Sequence, residues 1–452
     1  MKRFVALIMS AVMLFVFASC GKNNNTANNN GTDKNKLEIY YLNFKPEIAD
    51  VYKEIAQTYE KETGVKVKVV TAASDTYETT LKSEIAKSEA PTIFQINGPV
   101  GLSGWKNYCL DLKNTKLYSY LIDKNLAVKE GDAVYGIPYV VEGYGIIYNN
   151  EIMEKYFDLP DKAVDINSAQ EINNFSKLKA VVEDMTKHKS QLGIDGVFAS
   201  TSMSGGESWR WDSHLASVPF YYEMKDLDTN TSTVSSAYTA KEIKFTYADK
   251  YKNLLDLYIN NSVSDKGVLG SKSVNDSMSE FALGRAAMVQ NGNWAWSEIS
   301  RVSGNKVKED SIKYLPLYMG IDGEENQGLC IGTENYLAIN SKASKEKQEA
   351  SIAFLEWLFS SETGKKYVTE KLGFIAPFNT FDDDEKPDDP LAREILDWMN
   401  RDVETVDWTF NSFPSQDFKT AFGDAMLEYF QGTKDWDYVK KTVVDTWKSE
   451  RA

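Results

Sequence analysis

The stretch KLEIYYLNFKPEIADVYKEIAQTYEKETGVKVKVV, residues 36–70, holds one complete strand–helix–strand unit. Its opening KLEIYYL is apolar and aromatic, which predicts a strand. Apolar side chains then recur at helical spacing from Ile48 to Tyr59, and Gly64 is typical of a helix end. The closing VKVKVV alternates apolar and basic residues, as a half-buried strand does. This unit predicts an α/β protein.

The same alternation of strands and helices continues along the chain. We expect strands at 91–96, 135–141, 145–150 and 335–340, and helices at 74–89, 177–189, 241–260 and 345–361. The tail, 391–448, is predicted to be mainly helical. The pattern therefore favours an α/β layer with a mostly parallel sheet.

Length and composition narrow the class of protein. With 452 residues, the chain is too long for a single hydrophobic core, which predicts two domains. The 42% apolar and 26% charged residues are typical of a folded soluble protein. The net charge is −15, without a sustained run of lysine or arginine. Nucleic acid is therefore not expected as a partner, because a polyanion binder needs a basic surface.

The sequence shows no signature of a catalytic or metal site. It has two histidines, His188 and His214, and its three cysteines lack metal-ligand spacing. Nucleophile-elbow, zinc-protease and phosphate-loop motifs are missing, and the acidic run at 382–389 lacks the ligand spacing of a calcium loop. We therefore expect a binding protein without cofactor or metal, although paired carboxylates leave a surface glycosidase or lyase open. Cys109 and Cys330 either pair or remain buried thiols.

The N-terminus predicts export and a lipid anchor. Lys2 and Arg3 precede the apolar stretch FVALIMSAVMLFVF, which has the length of a signal peptide rather than of a membrane span. The ASCG that follows resembles a bacterial lipobox, so residues 1–20 are predicted as a lipoprotein signal with Cys20 acylated. A plain secretory signal is the alternative. Residues 21–36, rich in asparagine, predict a flexible tether to the cell membrane.

Three segments carry a resemblance to a known family. They are GIPYVVEGYGIIYNNEIMEKY (136–156), GRAAMVQNGNWAWSEI (284–299) and YLAINSKASKEKQEASIAFLEWLFSSETGKKYV (336–368). In this order they resemble the maltose-binding protein and its relatives, the extracellular sugar-binding components of ABC importers. The resemblance implies a monomeric protein that delivers an oligosaccharide to permease subunits. A non-sugar solute binder on the same fold stays open.

The resemblance also implies a two-lobed periplasmic-binding-protein fold, with a hinge and a ligand cleft between the lobes. By analogy, lobe one comprises 37–141 and 322–377, and lobe two comprises 145–321 and 378–452. The chain would then cross between lobes near Glu142–Gly145, near Gly320–Gly323 and near Pro377.

The family resemblance assigns an aromatic wall and a hinge carboxylate to the cleft. Trp294, after the strand and turn of AAMVQNGN, would pack on the apolar face of a sugar, with Asn293 reaching a hydroxyl. Trp296 is expected in the core by strand alternation. Glu142 matches a sugar-contacting carboxylate, although a hydrogen bond to backbone within the hinge is the alternative, and Tyr144 is a second candidate nearby.

Further ligand candidates come from the second lobe and from strand ends. One of Trp209 and Trp211 in GESWRWDSHL is expected to stack, with Arg210, Asp212 and His214 as weaker polar candidates. In α/β sheets, ligands bind at the edge where the carboxyl ends of the strands lie. We therefore expect Asn43 or Phe44, after the first strand, and Gln95 and Asn97, after the third, to contact the ligand. Glu334, just before a strand, is either a ligand contact or a structural residue.

Overall fold

The computed structural model describes residues 37–72, 76–227, 232–382 and 384–452. The predicted signal peptide, its Cys20 and the tether at 21–36 lie outside the described residues. Within the described ranges, no helix is both long and apolar enough to span a bilayer.

Strands and helices alternate along the described chain much as the sequence predicts. The strands are β1 (Glu38–Asn43), β2 (Lys66–Thr71), β3 (Ile93–Ile96), β4 (Val128–Glu130), β5 (Ala133–Gly136), β6 (Glu142–Asn149), β7 (Gly196–Phe198), β8 (Ala286–Gly292), β9 (Ile312–Leu315), β10 (Gln327–Gly332), β11 (Tyr336–Ile339) and β12 (Glu404–Val406). The helices are α1 (Ala49–Thr63), α2 (Tyr77–Glu84), α3 (Gly98–Trp105), α4 (Lys116–Tyr120), α5 (Asn150–Phe157), α6 (Phe175–Lys187), α7 (Lys189–Leu192), α8 (Ser217–Leu227), α9 (Thr233–Thr239), α10 (Ala248–Asn260), α11 (Val274–Ala282), α12 (Trp296–Arg301), α13 (Lys345–Ser360), α14 (Glu362–Lys366), α15 (Pro390–Met399), α16 (Gln416–Phe430) and α17 (Trp436–Arg451).

The first sheet has the strand order β11-β3-β1-β2, and we call the body that carries it lobe one. β1 pairs in parallel with β2 and β3, whereas β11 runs antiparallel to β3. The apolar stripe of α1, with Tyr52, Ile55 and Tyr59, packs against this sheet together with Phe354 and Leu358 of α13. This burial of an amphipathic helix face holds the strand–helix–strand unit together.

The second sheet has the order β12-β10-β6-β8-β7, with β9 also pairing with β6, and its body is lobe two. β6 runs antiparallel to β8, β9 and β10, so this sheet is mixed and the predicted mostly parallel sheet is wrong here. The predicted strands 135–141 and 145–150 also have other bounds, because β5 ends at Gly136 and β6 begins at Glu142 and so includes EGY. Close packing leaves no room for a side chain at Gly143 or Gly145. A Cβ on Gly143 would lie 2.4 Å from the Ile395 side chain, and a Cβ on Gly145 would lie 2.5 Å from the Leu315 carbonyl oxygen.

The chain changes lobe near three places, and the strand pairing moves one of them from its predicted position. The first change is at the start of β6, close to the predicted Glu142. The second lies between β10 and β11, at 333–335 rather than at Gly320–Gly323, because β10 stays paired with β6 as far as Gly332. The third follows Phe378, which still pairs with Leu121 of lobe one, and precedes α15, which packs on lobe two.

The two buried cysteines do not pair. Cys109 lies in an apolar cluster of lobe one, and Cys330 lies on β10 in lobe two. Both are free thiols, which resolves the alternatives left open by the sequence.

Candidate functional site in the interlobe cleft

A cavity of about 790 Å³ lies between the two lobes. This volume suits a ligand of several rings rather than a single ion. Lobe one lines it with the segment after β1, the start of α2 and the end of β3: Phe44, Lys45, Pro46, Glu47, Tyr77, Glu78, Gln95 and Asn97. The β10–β11 connection adds Glu334 and Asn335. Lobe two supplies Met203, Ser204, Gly205, Gly206, Glu207, Ser208, Trp209, Asp212, Ser213, His214, Gly270, Val274, Asn275, Trp294, Glu298, Arg301, Phe410, Gln416, Lys419, Thr420, Gly423, Asp424 and Leu427.

Four rings of lobe two, Trp209, His214, Trp294 and Phe410, form one side of the cavity, and we call them the aromatic wall. The Trp209 and Trp294 ring centroids are 6.1 Å apart, and His214 lies 5.4 Å from Trp294. His214 stacks on Phe410 at 4.5 Å. Burial lowers the pKa of His214 to about 3, so its ring is neutral at neutral pH. The wall is therefore an uncharged surface of aromatic rings, tilted to one another, on which apolar ring faces can pack.

Trp294 reaches the wall because of how β8 ends. The strand continues to Gly292 instead of turning at Gln290, and a short helical turn at Asn293–Ala295 follows. The Asn293 Oδ1 accepts a hydrogen bond from the Gly143 N–H at 2.9 Å, which ties this turn to β6. Trp296 lies outside the cavity lining and is half-buried against an apolar cluster around Ile299, but it begins α12, so the strand alternation expected there is absent.

The choice between Trp209 and Trp211 is decided by a π-helical turn at Arg210–Leu215. Trp209 precedes this turn and lines the cavity. Trp211 is 1% exposed, packs edge-on against Tyr258 at 4.7 Å and does not line the cavity. The turn directs the weaker candidates Asp212 and His214 into the cavity, whereas Arg210 is buried behind it and donates to the Gln290 carbonyl. Single-turn π-helices are frequent at functional sites.

Of the other predicted residues, Gln95, Asn97 and Glu334 line the cavity. The Gln95 side chain is already engaged, since its Oε1 accepts from the Phe44 N–H at 2.6 Å and its Nε2 donates to Tyr139 at 2.6 Å. The buried Asn97 Oδ1 has no hydrogen-bond partner among the described residues. Asn335, beside Glu334, has a φ of 58°, a strained backbone region that often marks binding sites.

Four further predicted residues lie behind the cavity surface rather than on it: Asn43, Glu142, Tyr144 and Asn293. Each is buried and serves the protein's own structure. Asn43 donates to the Lys45 carbonyl at 2.7 Å, and Glu142 accepts from the Lys45 ammonium at 2.7 Å. Tyr144 packs behind the wall, 4.8 Å from His214. The partner of Glu142 is therefore a lysine side chain rather than the backbone group that the alternative named.

Lys45 is a cleft residue that sequence reasoning missed. Its ammonium is 2.7 Å from Glu142 and 3.7 Å from Glu47, and it lies 5.7 Å from the ring centroid of Trp294. Burial alone lowers the pKa of Lys45, but the two carboxylates outweigh burial and raise it overall. Its position two residues after β1, at the same sheet edge as Asn43, was the available signal.

Glu298 and Lys419 were also missed. Glu298 follows Trp294 by four residues, so the two share one helical face, and this spacing was readable in the sequence. Burial raises the pKa of Glu298 to about 7 and that of Glu334 to about 7. Burial also raises the pKa of Asp212 to about 6, although the Ser208 hydroxyl hydrogen-bonds to it. Lys419 lies on α16, far along the chain, and no local pattern marks it.

The lobes touch each other at both ends of the cleft. Arg301 of lobe two donates to the Glu47 carbonyl of lobe one at 3.3 Å. At the other end, a Cβ on Gly98 would lie 3.2 Å from the carbonyl oxygen of Asn411. In the described ranges, no group of three or more His, Cys, Asp or Glu side chains is arranged to hold a metal ion.

Comparisons with solved structures give the same fold. RafE in complex with raffinose shares 18% identity with this chain at a TM-score of 0.69, covering 92% of this chain and 100% of RafE. The GacH receptor of Streptomyces glaucescens, solved unliganded and with acarbose, shares 17% identity at a TM-score of 0.65, covering 91% and 98%. A sugar transporter from Bacillus licheniformis in complex with stachyose shares 15% identity at 0.66, covering 92% and 100%. These likenesses show the two-lobed α/β fold.

A search of curated protein sequences finds no match. Residues 54–394, well over half of the chain, match the sequence profile described as bacterial extracellular solute-binding protein. The chain therefore belongs to the family of bacterial extracellular solute-binding proteins.

Proposed function

We propose that this protein captures an oligosaccharide outside the cytoplasm and delivers it to the permease of an ABC importer. The observation that carries this proposal is the aromatic wall facing hydrogen-bonding groups across a cavity of about 790 Å³. A sugar ring offers an apolar face to an indole and a hydroxyl edge to carboxylates and amides. In this cleft lobe two supplies the aromatic wall, and both lobes supply hydrogen-bonding groups.

Three predicted residues have a direct role in this proposal. Trp209 and Trp294 pack on sugar faces, and their tilt of 50° suits two successive rings of a bent chain. Asn97, whose buried oxygen has no partner among the described residues, accepts a hydrogen bond from a hydroxyl. The residues behind the cavity surface affect the ligand only by positioning residues that line the cavity. These are Glu142, Asn43, Tyr144 and Asn293.

The structural relatives support a carbohydrate over another solute. Three of them were solved in complex with raffinose, acarbose and stachyose. Their identity to this chain is 15–18%, so they do not select one sugar. We infer that the ligand has at least two sugar units, from the cavity volume and the separation of the two indoles.

The finer parts of the proposal concern location and assembly. We propose that Cys20 carries an acyl lipid and that residues 21–36 tether a monomer to the cell membrane. The lobes close on the ligand about the paired ends of β6 and β10. The bound, closed form then docks on the permease subunits.

A binding panel with product analysis tests the proposal. The purified protein is incubated with mono-, di- and oligosaccharides, and its melting temperature and the sugars are followed together. We expect an upward shift with some oligosaccharides and unchanged sugars, because a ligand that binds only the native state stabilises it. Turnover would favour the alternative of a surface enzyme. A shift with amino acids or peptides alone would favour a non-sugar solute.

A further inference from the structure

The inner surface of the cleft carries more carboxylates than cations. Seven of the lining side chains named above are acidic and three are basic, compared with 66 acidic and 51 basic residues in the whole chain. Negative charge in a buried place is unfavourable unless a cation or a donor compensates it. The cleft therefore needs a source of positive charge or of hydrogen-bond donors.

The protein's own cations compensate only part of this charge. Lys45 pairs with Glu142 at 2.7 Å, whereas Arg301 donates to the neutral Glu47 carbonyl at 3.3 Å and keeps its charge. The Lys419 ammonium attracts Glu334 and Asp212 but forms no ion pair within 4 Å in the described part of the chain. Three cations thus face the seven lining carboxylates.

Several acceptor atoms in the cleft have no donor. Asp212 is 3% exposed, and its Oδ2 accepts from the Ser208 hydroxyl, whereas its buried Oδ1 has no partner in the described ranges. The buried Oε2 of Glu298 also has no hydrogen-bond partner among the described residues. Glu334, at 9% exposure, accepts no hydrogen bond from any described residue. Among buried lining donors, the Asn335 Nδ2 also lacks a partner. The cleft thus presents mainly acceptors.

This inference rests on the proposed function and narrows its ligand. We propose that the bound carbohydrate is an amino sugar, with a free ammonium group held by carboxylates among Asp212, Glu298 and Glu334 beside the aromatic wall. An ammonium supplies three donors and one positive charge at a single point, whereas a hydroxyl supplies one donor and no charge. The faces of Trp209 and Trp294 add a cation–π attraction.

The titration of these carboxyls agrees with this arrangement. Burial holds the pKa of Glu298 and Glu334 at about 7 and that of Asp212 at about 6, so protons partly occupy these groups near neutral pH. A ligand ammonium favours the ionised carboxylates and displaces those protons. Binding of an amino sugar should therefore release protons to the buffer.

The test compares two trisaccharides that differ only at nitrogen. The β-1,4-linked glucosamine trimer and its fully N-acetylated form have the same skeleton, but only the first is cationic. Titration calorimetry of the full chain at pH 6.5 should show at least about tenfold tighter binding of the free amine, since hydrogen bonds to charged groups are worth that much. The binding enthalpy should also differ between phosphate and Tris buffers, which reports the released protons.

The variant Glu298→Gln keeps the shape of the side chain and removes its charge. It should weaken binding of the free amine about tenfold and change binding of the acetylated trimer less than the amine. Asp132→Asn, at a side chain 101% exposed and far from the cleft, is the matched control and should change neither. A thermal melt of each variant shows whether the fold is intact. Asp212→Asn provides a second variant if Glu298→Gln is unstable.

The outcomes separate this inference from the proposed function. Equal or tighter binding of the acetylated trimer, or of a neutral sugar from the panel alone, overturns the amino-sugar assignment and leaves the carbohydrate function intact. If no sugar of either kind binds, the carbohydrate function fails and this inference fails with it.

Discussion

The indole of Trp294 lies directly on Gly292, two residues earlier in the chain. A Cβ on Gly292 would come within 2.2 Å of the indole ring, closer than any side-chain contact allows. The backbone of Gly292 is extended, with a φ of −108°, so any residue can adopt it. Glycine is therefore required here for space and not for conformation, and it lets the ring turn back into the cleft.

Gly292→Ala should displace the Trp294 ring and disturb the aromatic wall. We expect sugar affinity to fall at least tenfold, with a loss of about 1–3 kcal/mol in the free energy of unfolding from overpacking. Calorimetry and denaturant unfolding on one sample measure both. Gly104→Ala is the control, because nothing lies within 4 Å of a Cβ there. Normal affinity in Gly292→Ala would show that the ring position does not matter to the ligand.

Trp294→Ala distinguishes a ligand platform from a core residue. Loss of an aromatic that stacks on a flat ring costs roughly 1–3 kcal/mol of binding, and we expect the lower half, or about a tenfold loss in affinity. A core tryptophan would instead cost about 3–5 kcal/mol of folding stability. Trp296→Ala is the comparison, since that side chain packs outside the cavity. A strongly destabilised Trp294→Ala whose folded fraction binds normally would contradict the platform.

Glu334 should make the ligand-free protein less stable as the pH rises. Burial raises the pKa of its carboxyl from 4.5 to about 7, so between these values the folded state binds more protons than the unfolded state. The free energy of unfolding therefore falls across this window, by on the order of 3 kcal/mol for this group. Glu334→Gln should be more stable than the wild type at pH 8 and about equal to it at pH 4. Parallel pH profiles of the two proteins would refute this role of Glu334.

Cys20→Ala should release the protein from the membrane fraction of its source cell. The physical reason is that the acyl lipid on this cysteine is the proposed anchor, so without it no acyl chain inserts into the bilayer. Fractionation followed by immunoblotting measures this. Ser19→Ala, which keeps the cysteine, is the control. A Cys20→Ala protein that stays with the membrane would mean another anchor.

Ligand binding should make the molecule more compact. The lobes are connected near three places, and a ligand that contacts both of them favours the closed arrangement. Small-angle scattering should give a smaller radius of gyration at saturating sugar than without it. An unchanged profile at saturation would argue against closure of the lobes.

Local patterns in the sequence predict much of this fold. The strand–helix–strand unit at 36–70 appears as β1, α1 and β2, because hydrophobic periodicity and a terminal Gly64 depend on neighbours along the chain. Helix α10 shows the limit of such patterns. It begins at Ala248 instead of 241, since Phe245, just before it, has a φ of 54°, which a helix does not accommodate.

By itself, the sequence predicted the α/β class and the buried strand that ends before Trp294, because these follow from short-range periodicity, while chain length predicted two domains and the family resemblance implied two lobes with a cleft. Only the tertiary structure decided which side chains face the cleft. A π-helical turn directs Trp211 into the core, and Glu142 forms an ion pair with Lys45, 97 residues away. Partners so distant along the chain are chosen by packing between strands and lobes, and no local spacing encodes that choice.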